Sequence, residues 1–214
     1  MDKQKLIRKF DKQSVLYEEH TRKRMLKEWR QQIIENIHGD VLEIAVGTGA
    51  NFPYYDMARI HLTAADFSPM MLRRAAEIAD ELQMQVHFIE SDIEKLQLPE
   101  QSFDAIVSTL SLCGYDDPVQ VLRNLKRWCR PGGQIRLMEH GLGGNLILRS
   151  AQRVVNPIAR QISGCHWNRD IIQMVKGSGL QIERMERHMG GMIYLIWATP
   201  GKSEIDPANH LSQG

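Results

Sequence analysis

A glycine turn placed directly after an apolar segment is the first feature of this sequence that indicates chemistry. Residues 41–46 are apolar except for Glu43, and Gly47 and Gly49 follow them in a Gly-x-Gly turn. Glycine tolerates positive φ and lets a ligand approach the backbone, and a strand that ends in such a turn binds nucleotide-like ligands in open α/β sheets. Position 52 is Phe52, so the third glycine of the dinucleotide fingerprint is missing. Because a carboxylate beside the turn also disfavours a pyrophosphate, we expect an adenosine-like ligand that carries positive charge.

Three acids accompany three successive predicted strands. Glu43 belongs to the first, Asp66 ends the second and Asp92 follows the third. The carboxyl ends of parallel strands line a binding crevice, where one carboxylate can accept hydrogen bonds from both hydroxyl groups of a ribose. We therefore expect Asp66 to bind ribose, Asp92 an adenine amino group and Glu43 a cationic part of the ligand. Each acid alone would more often cap a loop or helix, but the three together with the glycine turn predict a ligand site.

Further titratable residues follow the fourth and fifth strands. Asp92, Glu139, His140 and His166 are candidate proton acceptors for a second substrate. His140 ends the fifth predicted strand beside the crevice, so Asp92 and His140 are our candidate catalytic residues. A packing or capping role is the alternative for His140 and the favoured role for His166.

Cysteine spacing predicts neither a disulfide framework nor a metal site. Cys113, Cys129 and Cys165 have no paired or Cys-x-x-Cys spacing. We expect Cys113 and Cys165 to be small buried hydrophobic residues rather than nucleophiles. Unpaired cysteines fit a reducing compartment, and the charged N-terminus lacks the apolar core of a signal peptide, so we expect a cytoplasmic protein.

Alternating strands and helices must position these residues. Helices are predicted to begin at Ser68-Pro69 and at Asp117-Pro118, because each pair combines a side-chain N-cap with proline at the first helical position. Residues 130–133, Arg-Pro-Gly-Gly, are predicted to form a turn before the fifth strand. The order of elements predicts a doubly wound α/β fold with a mostly parallel sheet. The first five predicted strands are residues 41–45, 60–66, 86–91, 103–109 and 134–139.

Helical and hairpin segments flank this nucleotide-binding half. An N-terminal helical arm, which includes Tyr17, is predicted to cover the ligand as a lid. The apolar stripe of a helical insert after strand five fits a roof over a hydrophobic acceptor, contact with a membrane surface, or core packing. A helix and an antiparallel hairpin around Gly190-Gly191 complete a seven-stranded sheet. We expect one domain with five parts. They are an arm (1–37), a cofactor-binding half (40–140), an insert (142–167), a helix with hairpin (168–199) and a flexible tail (201–214).

Charge and hydropathy exclude several classes of partner. The net charge of the 214 residues is +1, although residues 1–30 carry ten basic and five acidic side chains. A solvated helix face is the favoured interpretation of that basic arm, and contact with an anionic membrane is the alternative. The arm has few aromatic residues between its charges, so we expect no nucleic-acid partner. No run of about 18 apolar residues predicts a transmembrane helix.

Taken together, these segments resemble the class I S-adenosylmethionine-dependent methyltransferases. The likeness extends over about residues 40–140, with a Rossmann-like fold as its implication. The segments that carry it are residues 42–49, 65–72, 91–99, 102–107 and 130–133. By resemblance, Gly47 and Gly49 approach the methionine part of S-adenosylmethionine, Asp66 the ribose, and Asp92 with Ile93 the adenine. Family members usually have Asp or Gly where this chain has Ala45. The full implied cofactor site is Tyr17, Glu43, Ala45, Gly47, Thr48, Gly49, Asn51, Asp66, Phe67, Met71, Asp92, Ile93 and Thr109.

Two branches of that family are similar to this sequence in different segments. Residues 66–72, Asp-Phe-Ser-x-x-Met-Leu, resemble the quinone-ring C-methyltransferases of ubiquinone and menaquinone synthesis. The segments 108–113, Glu139-His140 and Gly164-Cys165-His166 resemble the alkyl thiol methyltransferases. We therefore expect methylation of a small, rather apolar molecule, with a thiol slightly preferred over a quinol ring or a lipid amine. An NAD-dependent reductase and a non-catalytic cofactor-binding protein are the alternatives of another class.

Overall fold

One seven-stranded sheet organises the protein. The structure is a computed structural model that describes residues 24–163 and 165–201. The sheet order is β3-β2-β1-β4-β5-β7-β6. Strands β1 to β5 pair in parallel, and β7 runs antiparallel to both β5 and β6. The predicted doubly wound α/β sheet with a C-terminal antiparallel hairpin is thus confirmed. The strands are Gly39–Ile44 (β1), Ile60–Asp66 (β2), Val86–Glu90 (β3), Phe103–Thr109 (β4), Cys129–His140 (β5), Gln181–His188 (β6) and Ile193–Thr199 (β7).

Helices cover both faces of the sheet. One buried cluster joins α3 and α5 to the sheet through residues such as Trp128 and Val175. A second cluster, on the other face, joins α1 and α2 through residues such as Ile33 and Ala75. The resulting three layers bury both faces of the central strands, as parallel sheets require. The helices are Arg24–Ile34 (α1), Pro69–Glu81 (α2), Pro118–Trp128 (α3), Leu146–Ser163 (α4) and Ile171–Gly177 (α5).

Side-chain caps fix where the helices begin. The Ser68 hydroxyl accepts a hydrogen bond from the Met71 amide at 3.2 Å, and Asp117 accepts one from the Gln120 amide at 2.9 Å. Both predicted helix starts are therefore confirmed. Helix α5 begins at Ile171, later than the predicted residue 168, because Asp170 caps it.

The predicted turn at residues 130–133 is wrong. Strand β5 already begins at Cys129, and its pairing with β4 jumps from Phe103–Cys129 to Ala105–Gln134. The extra residues form an irregularity within the strand, in which Gly132 has a φ of 78°. Proline and glycine here mark a bulge inside the sheet rather than its end.

Helix α1 is a fixed part of one layer. Its Ile33 is fully buried, Trp29 stacks on His188 with ring centroids 4.8 Å apart, and Gln32 donates to the Glu186 carboxylate at 3.1 Å. The described part of the predicted arm is therefore packed on the sheet instead of being a free lid. Residues 1–23, with Tyr17, lie outside the described residues.

The insert helix α4 turns its polar side towards the protein. Gln152, only 9% exposed, accepts from the Gly143 amide at 2.7 Å and donates to the carbonyl oxygens of Gly141 and Trp167. Core packing, one of the predicted roles of its apolar stripe, is therefore wrong for the outward residues. These are Leu146, Ile147, Val154, Val155 and Ile158, which are 44–82% exposed. Among the residues that the structure describes, no helix is both long and apolar enough to cross a membrane.

Candidate active site

The glycine turn lies where the strand order of the sheet reverses. From β1 the chain builds the sheet towards β3 on one side, and from β4 towards β5 on the other. Open α/β sheets bind ligands at the carboxyl ends of their strands beside this reversal. The turn follows β1, and residues 110–117 follow β4. These two loops therefore border the candidate crevice.

Left-handed backbone conformations shape the glycine turn. Ala45, Gly47 and Gly49 have φ values of 49°, 57° and 78°. A Cβ at Gly49 would lie 2.7 Å from the Phe52 ring, whereas a Cβ at Gly47 would meet no protein atom within 4 Å. Gly49 is therefore required for packing, and Gly47 leaves open space where a ligand can approach the backbone. Thr48, between them, is buried.

Asp66 joins the glycine turn to the start of α2. One carboxylate oxygen accepts a hydrogen bond from the Gly47 amide at 2.9 Å, and the other accepts one from the Ser68 amide at 2.9 Å. An ionised carboxylate has about four acceptor positions, and these two amides occupy one on each oxygen. Asp66, which the sequence predicted to bind ribose, therefore lies beside the glycine turn.

The remaining predicted adenine-side residues differ in accessibility. Asp92 and Phe67 are half-buried, and one Asp92 oxygen accepts from the Glu94 amide at 3.1 Å. Met71 and Ile93 are 3% and 1% exposed. These two residues therefore offer almost no free surface and support the crevice from within the core.

Glu43 is enclosed beneath the turn. Its two carboxylate oxygens accept hydrogen bonds from Asn51 at 2.8 Å and from the Tyr55 hydroxyl at 3.0 Å. Burial raises the pKa of Glu43 to about 7, against the opposing effects of these two hydrogen bonds and of the Arg30 charge. Glu43 and Asn51 are fully buried. They support the turn from below, which differs from the direct ligand contact that the sequence predicted for both.

Arg30 is a residue of this site that the sequence analysis missed. It projects from α1, is 5% exposed, and donates to Asn51 at 2.6 Å and to Thr109 at 3.0 Å. Thr109 also accepts from Asn51 at 3.2 Å. The Arg30 guanidinium thereby connects the loop after β1 to the end of β4. The sequence does contain a signal that Arg30 is buried, because Arg30 shares the apolar face of α1 with Ile33 and Ile34.

Glu139 organises the loop on the other side of the crevice. One oxygen accepts from the Ser108 hydroxyl at 2.7 Å, and the other accepts from the amides of Ser111 and Leu112 at 3.0 and 3.1 Å. Burial raises the pKa of Glu139 to about 7, while these hydrogen bonds oppose the rise. Because these hydrogen bonds join the end of β4 to the loop after it, Glu139 positions residues 108–112.

His140, Cys113 and Cys165 come together at the end of β5. Their ligand atoms all lie within 4.8 Å of one another. Cys113 is buried, and the other two are half-buried. His140 also lies edge-on to Trp167, with ring centroids 6.5 Å apart. The spacing of these cysteines offers no reason to pair them, and the fold brings them together from separate loops.

Comparison with known proteins agrees with this geometry. Residues 42–137 match a family model described as "Methyltransferase domain". Among solved structures, the PH0226 protein of Pyrococcus horikoshii is similar to this chain, with a TM-score of 0.64 and 20% identity. The match covers 84% of this chain and 93% of that one. At this identity the likeness shows the fold, which is the Rossmann-like class I methyltransferase fold.

Several curated relatives carry methyltransferase names. The mitochondrial methyltransferase OMS1 of Saccharomyces cerevisiae is 29% identical, over 75% of this chain and 38% of its own length. A phosphatidylethanolamine N-methyltransferase of Cereibacter sphaeroides is 34% identical, over 48% and 51%. The thiol S-methyltransferase TMT1B of Rattus norvegicus is 31% identical, over 67% and 62%. Demethylmenaquinone methyltransferases are among the further relatives.

The fold, the glycine turn and these matches agree on one family. The methyltransferase domain at residues 42–137 and these relatives support a class I S-adenosylmethionine-dependent methyltransferase, with S-adenosylmethionine as the cofactor. The chain spans 38–62% of the length of the three relatives described above. An NAD-dependent reductase, the alternative of another class, does not fit this family.

Alanine at Gly47 and at Gly49 should have different effects. Both substitutions place a side chain at positive φ, which costs roughly 1–2 kcal/mol. Gly49→Ala adds a clash with Phe52 and should lower the free energy of unfolding further. Gly47→Ala has no protein clash, so we expect its main effect to be a loss of at least tenfold in affinity for S-adenosylhomocysteine. Urea denaturation and calorimetry measure the two quantities. Wild-type affinity in Gly47→Ala would remove this glycine from the cofactor site.

Glu139→Gln should reduce the pH dependence of stability. Because the folded-state pKa of Glu139 is raised to about 7, its stabilising effect is complete below pH 4.5 and is lost as the pH rises through 7. Between pH 5 and pH 8, the free energy of unfolding of the variant should fall by roughly 2–3 kcal/mol less than that of the wild type. Urea denaturation at both pH values tests this. Glu81→Gln, at an exposed position, is the control and should keep the wild-type difference. Equal pH dependence in all three proteins would contradict the prediction.

Proposed function

We propose that this protein transfers the methyl group of S-adenosylmethionine to a small, rather apolar acceptor, with a thiol as the preferred acceptor. The observation that carries the proposal is the direct connection between the two loops of the crevice. Asn51, beside the glycine turn, donates to Thr109 at the end of β4. The loop after β4 then leads to Cys113, which meets His140. A cofactor at the turn would therefore have a polarisable, half-buried group of side chains as its neighbour.

The reaction needs alignment more than acid–base chemistry. Methyl transfer from a sulfonium is an in-line displacement whose leaving group is a neutral thioether, so no acid has to protonate it. The protein must hold donor, methyl group and acceptor in line and exclude water. The rigid supports at Glu43 and Glu139 serve that alignment.

We propose distinct roles for the residues of the cofactor half. Gly47 and Gly49 approach the methionine part, Asp66 binds the ribose hydroxyl groups, and Asp92 accepts from the adenine amino group. Ala45, Thr48 and Phe67 form the walls, and Met71 and Ile93 pack behind them. Arg30, Glu43, Asn51 and Thr109 hold the turn in place.

A thiol is favoured because it needs the least activation. A thiol has a pKa near 8.5, so modest help ionises it, whereas a quinol, amine or carbon acceptor requires a base or a bound neutral form. His140 is the nearest candidate for that help, and Asp92 is the second. A relative named as a thiol S-methyltransferase supports the same choice. A quinol ring carbon and a lipid amine are the alternatives, supported by relatives named for those acceptors.

The outward face of α4 supports an acceptor that arrives from a lipid surface. Residues 146–163 contain three arginines and no acidic residue. The side chains of Leu146, Ile147, Val154 and Ile158 are exposed on this helix. Apolar side chains flanked by cations bind the surface of anionic membranes. Gln152 ties this helix to Gly141, next to His140. We therefore propose that α4 docks on an anionic lipid surface beside the acceptor end of the crevice.

The neighbouring thiol groups of Cys113 and Cys165 favour a reducing compartment. Cys113 and Cys165 form no disulfide, and a close pair of thiols persists best under reducing conditions. We propose that the protein acts in the cytoplasm.

A screen of acceptors tests the proposed reaction. With radiolabelled S-adenosylmethionine, we expect label transfer to small apolar thiols at least tenfold faster than to phenols, quinols or amines of similar size. Gly47→Ala should lose transfer to every acceptor if it loses the cofactor. Faster labelling of a quinol ring or of phosphatidylethanolamine than of any thiol would overturn the thiol preference.

Vesicle sedimentation tests the role of α4. Wild-type protein should bind vesicles that contain phosphatidylglycerol and not vesicles of phosphatidylcholine alone. Leu146→Ser with Ile147→Ser should lose this binding. Arg153→Gln should weaken it about fivefold, because one cation contributes about 1 kcal/mol at such a surface. Leu82→Ser, at an exposed leucine of the α2 end, is the matched control. A concentration-dependent dimer that the double variant abolishes would instead assign this face to a second copy of the chain.

A further inference from the structure

Two cysteines and a histidine converge from three separate parts of the chain. Cys113 comes from the loop after β4, His140 ends β5, and Cys165 follows α4. The two sulfur atoms and an imidazole nitrogen all lie within 4.8 Å of one another. The catalytic scheme proposed above uses only His140 of these three.

The surrounding loops hold this cluster in place. The His166 amide donates to the Cys113 carbonyl oxygen at 3.1 Å. Arg169 donates to the carbonyl oxygen of Leu112 at 2.9 Å and also to that of Tyr115. The Cys113 loop is thus joined on both sides of the cysteine to the segment that carries Cys165. Ligands on such a scaffold need little rearrangement to close around an ion.

The chemistry of the three ligands fits zinc. Zn²⁺ binds thiolate at about 2.3 Å and imidazole at about 2.0–2.1 Å, which places tetrahedral ligand atoms roughly 3.3–3.8 Å apart. The observed separations, all within 4.8 Å, need to contract by about 1.5 Å at most. Three protein ligands leave one position open, which is the arrangement of catalytic rather than structural zinc sites.

We propose that Cys113, His140 and Cys165 bind one Zn²⁺ ion, and that the acceptor thiol occupies its fourth coordination position. Zn²⁺ binds cysteine in its thiolate form. Zinc binding therefore displaces protons from the cysteines to solvent. In this arrangement His140 is a metal ligand, and the metal takes over the activation of the acceptor.

The resulting step rests on the proposed thiol methylation. An incoming thiol binds Zn²⁺ and releases its proton to solvent, because a coordinated thiol is deprotonated. The sulfur lone pair then forms a bond to the methyl carbon as the bond between that carbon and the sulfonium sulfur breaks. The products are a methyl thioether and S-adenosylhomocysteine. The neutral thioether is a weaker ligand than the thiolate and leaves the metal.

Zinc titration of the full chain tests the site by itself. Protein reduced and freed of metal with a chelator is titrated with ZnCl₂ in a calorimeter, in two buffers that differ in ionisation enthalpy. We expect one Zn²⁺ per chain with proton release. Cys113→Ser, Cys165→Ser and His140→Ala should each lower the affinity at least 100-fold. Cys129→Ala is the matched control, because Cys129 is a buried cysteine at the other end of β5, and it should bind as the wild type does.

Two outcomes would overturn the metal site. The first is wild-type affinity for Zn²⁺ in the Cys113→Ser, Cys165→Ser double variant, with binding of S-adenosylhomocysteine showing that this variant is folded. The second is a protein that forms a Cys113–Cys165 disulfide in air and, once reduced, takes up no zinc.

Assays of thiol methylation distinguish a failure of the zinc-dependent step from a failure of the proposed function. Activity that falls at least 100-fold on chelation and returns with Zn²⁺ supports the proposed step. Full thiol methylation by the chelated protein and by the double variant overturns the step and leaves the thiol methyltransferase intact. Stoichiometric zinc binding with no methylation of any thiol overturns the step together with the thiol preference.

Discussion

Two buried glutamates support the loops of the crevice, and the site depends on them. Glu43 lies under the glycine turn, and Glu139 lies under the loop after β4. Burial raises the pKa of each to about 7, because a carboxylate inside the protein loses its hydration. The hydrogen-bond donors of both loops must therefore stay in place to satisfy these groups. The same donors fix the loop conformations. The need to satisfy two buried carboxylates therefore maintains the conformation of the crevice.

Arg30 links the two supported loops into one unit. Its guanidinium bonds to Asn51 on the β1 side and to Thr109 on the β4 side. Burial lowers the pKa of Arg30, and the nearby charge of Glu43 opposes this effect. The helix that carries Arg30 also packs on β6 through Gln32 and Trp29. A displacement of this helix would therefore move the hydrogen-bond partners of the glycine turn.

The two ends of the crevice have different chemical characters. The β1 side offers backbone amides and the Asp66 carboxylate, which are suited to a polar cofactor. The β4 and β5 side offers sulfur and imidazole, and the helix beside it turns leucine and isoleucine outwards. This division matches a reaction in which a water-soluble donor meets an apolar acceptor that enters from the opposite side.

Sequence by itself determined the features that depend on neighbouring residues. Backbone conformation and capping are local, so the glycine turn, the helix starts at Ser68 and Asp117 and the alternation of strands could be read directly. The tertiary structure decided what depends on distant residues. Nothing in the spacing of Cys113 and Cys165 indicates that the loop after β4 and the end of α4 bring them together. The direction of the α4 apolar face was equally undetermined, because helical periodicity shows that a stripe exists but not which side meets the protein. Proximity across a fold arises from packing, which local patterns do not encode.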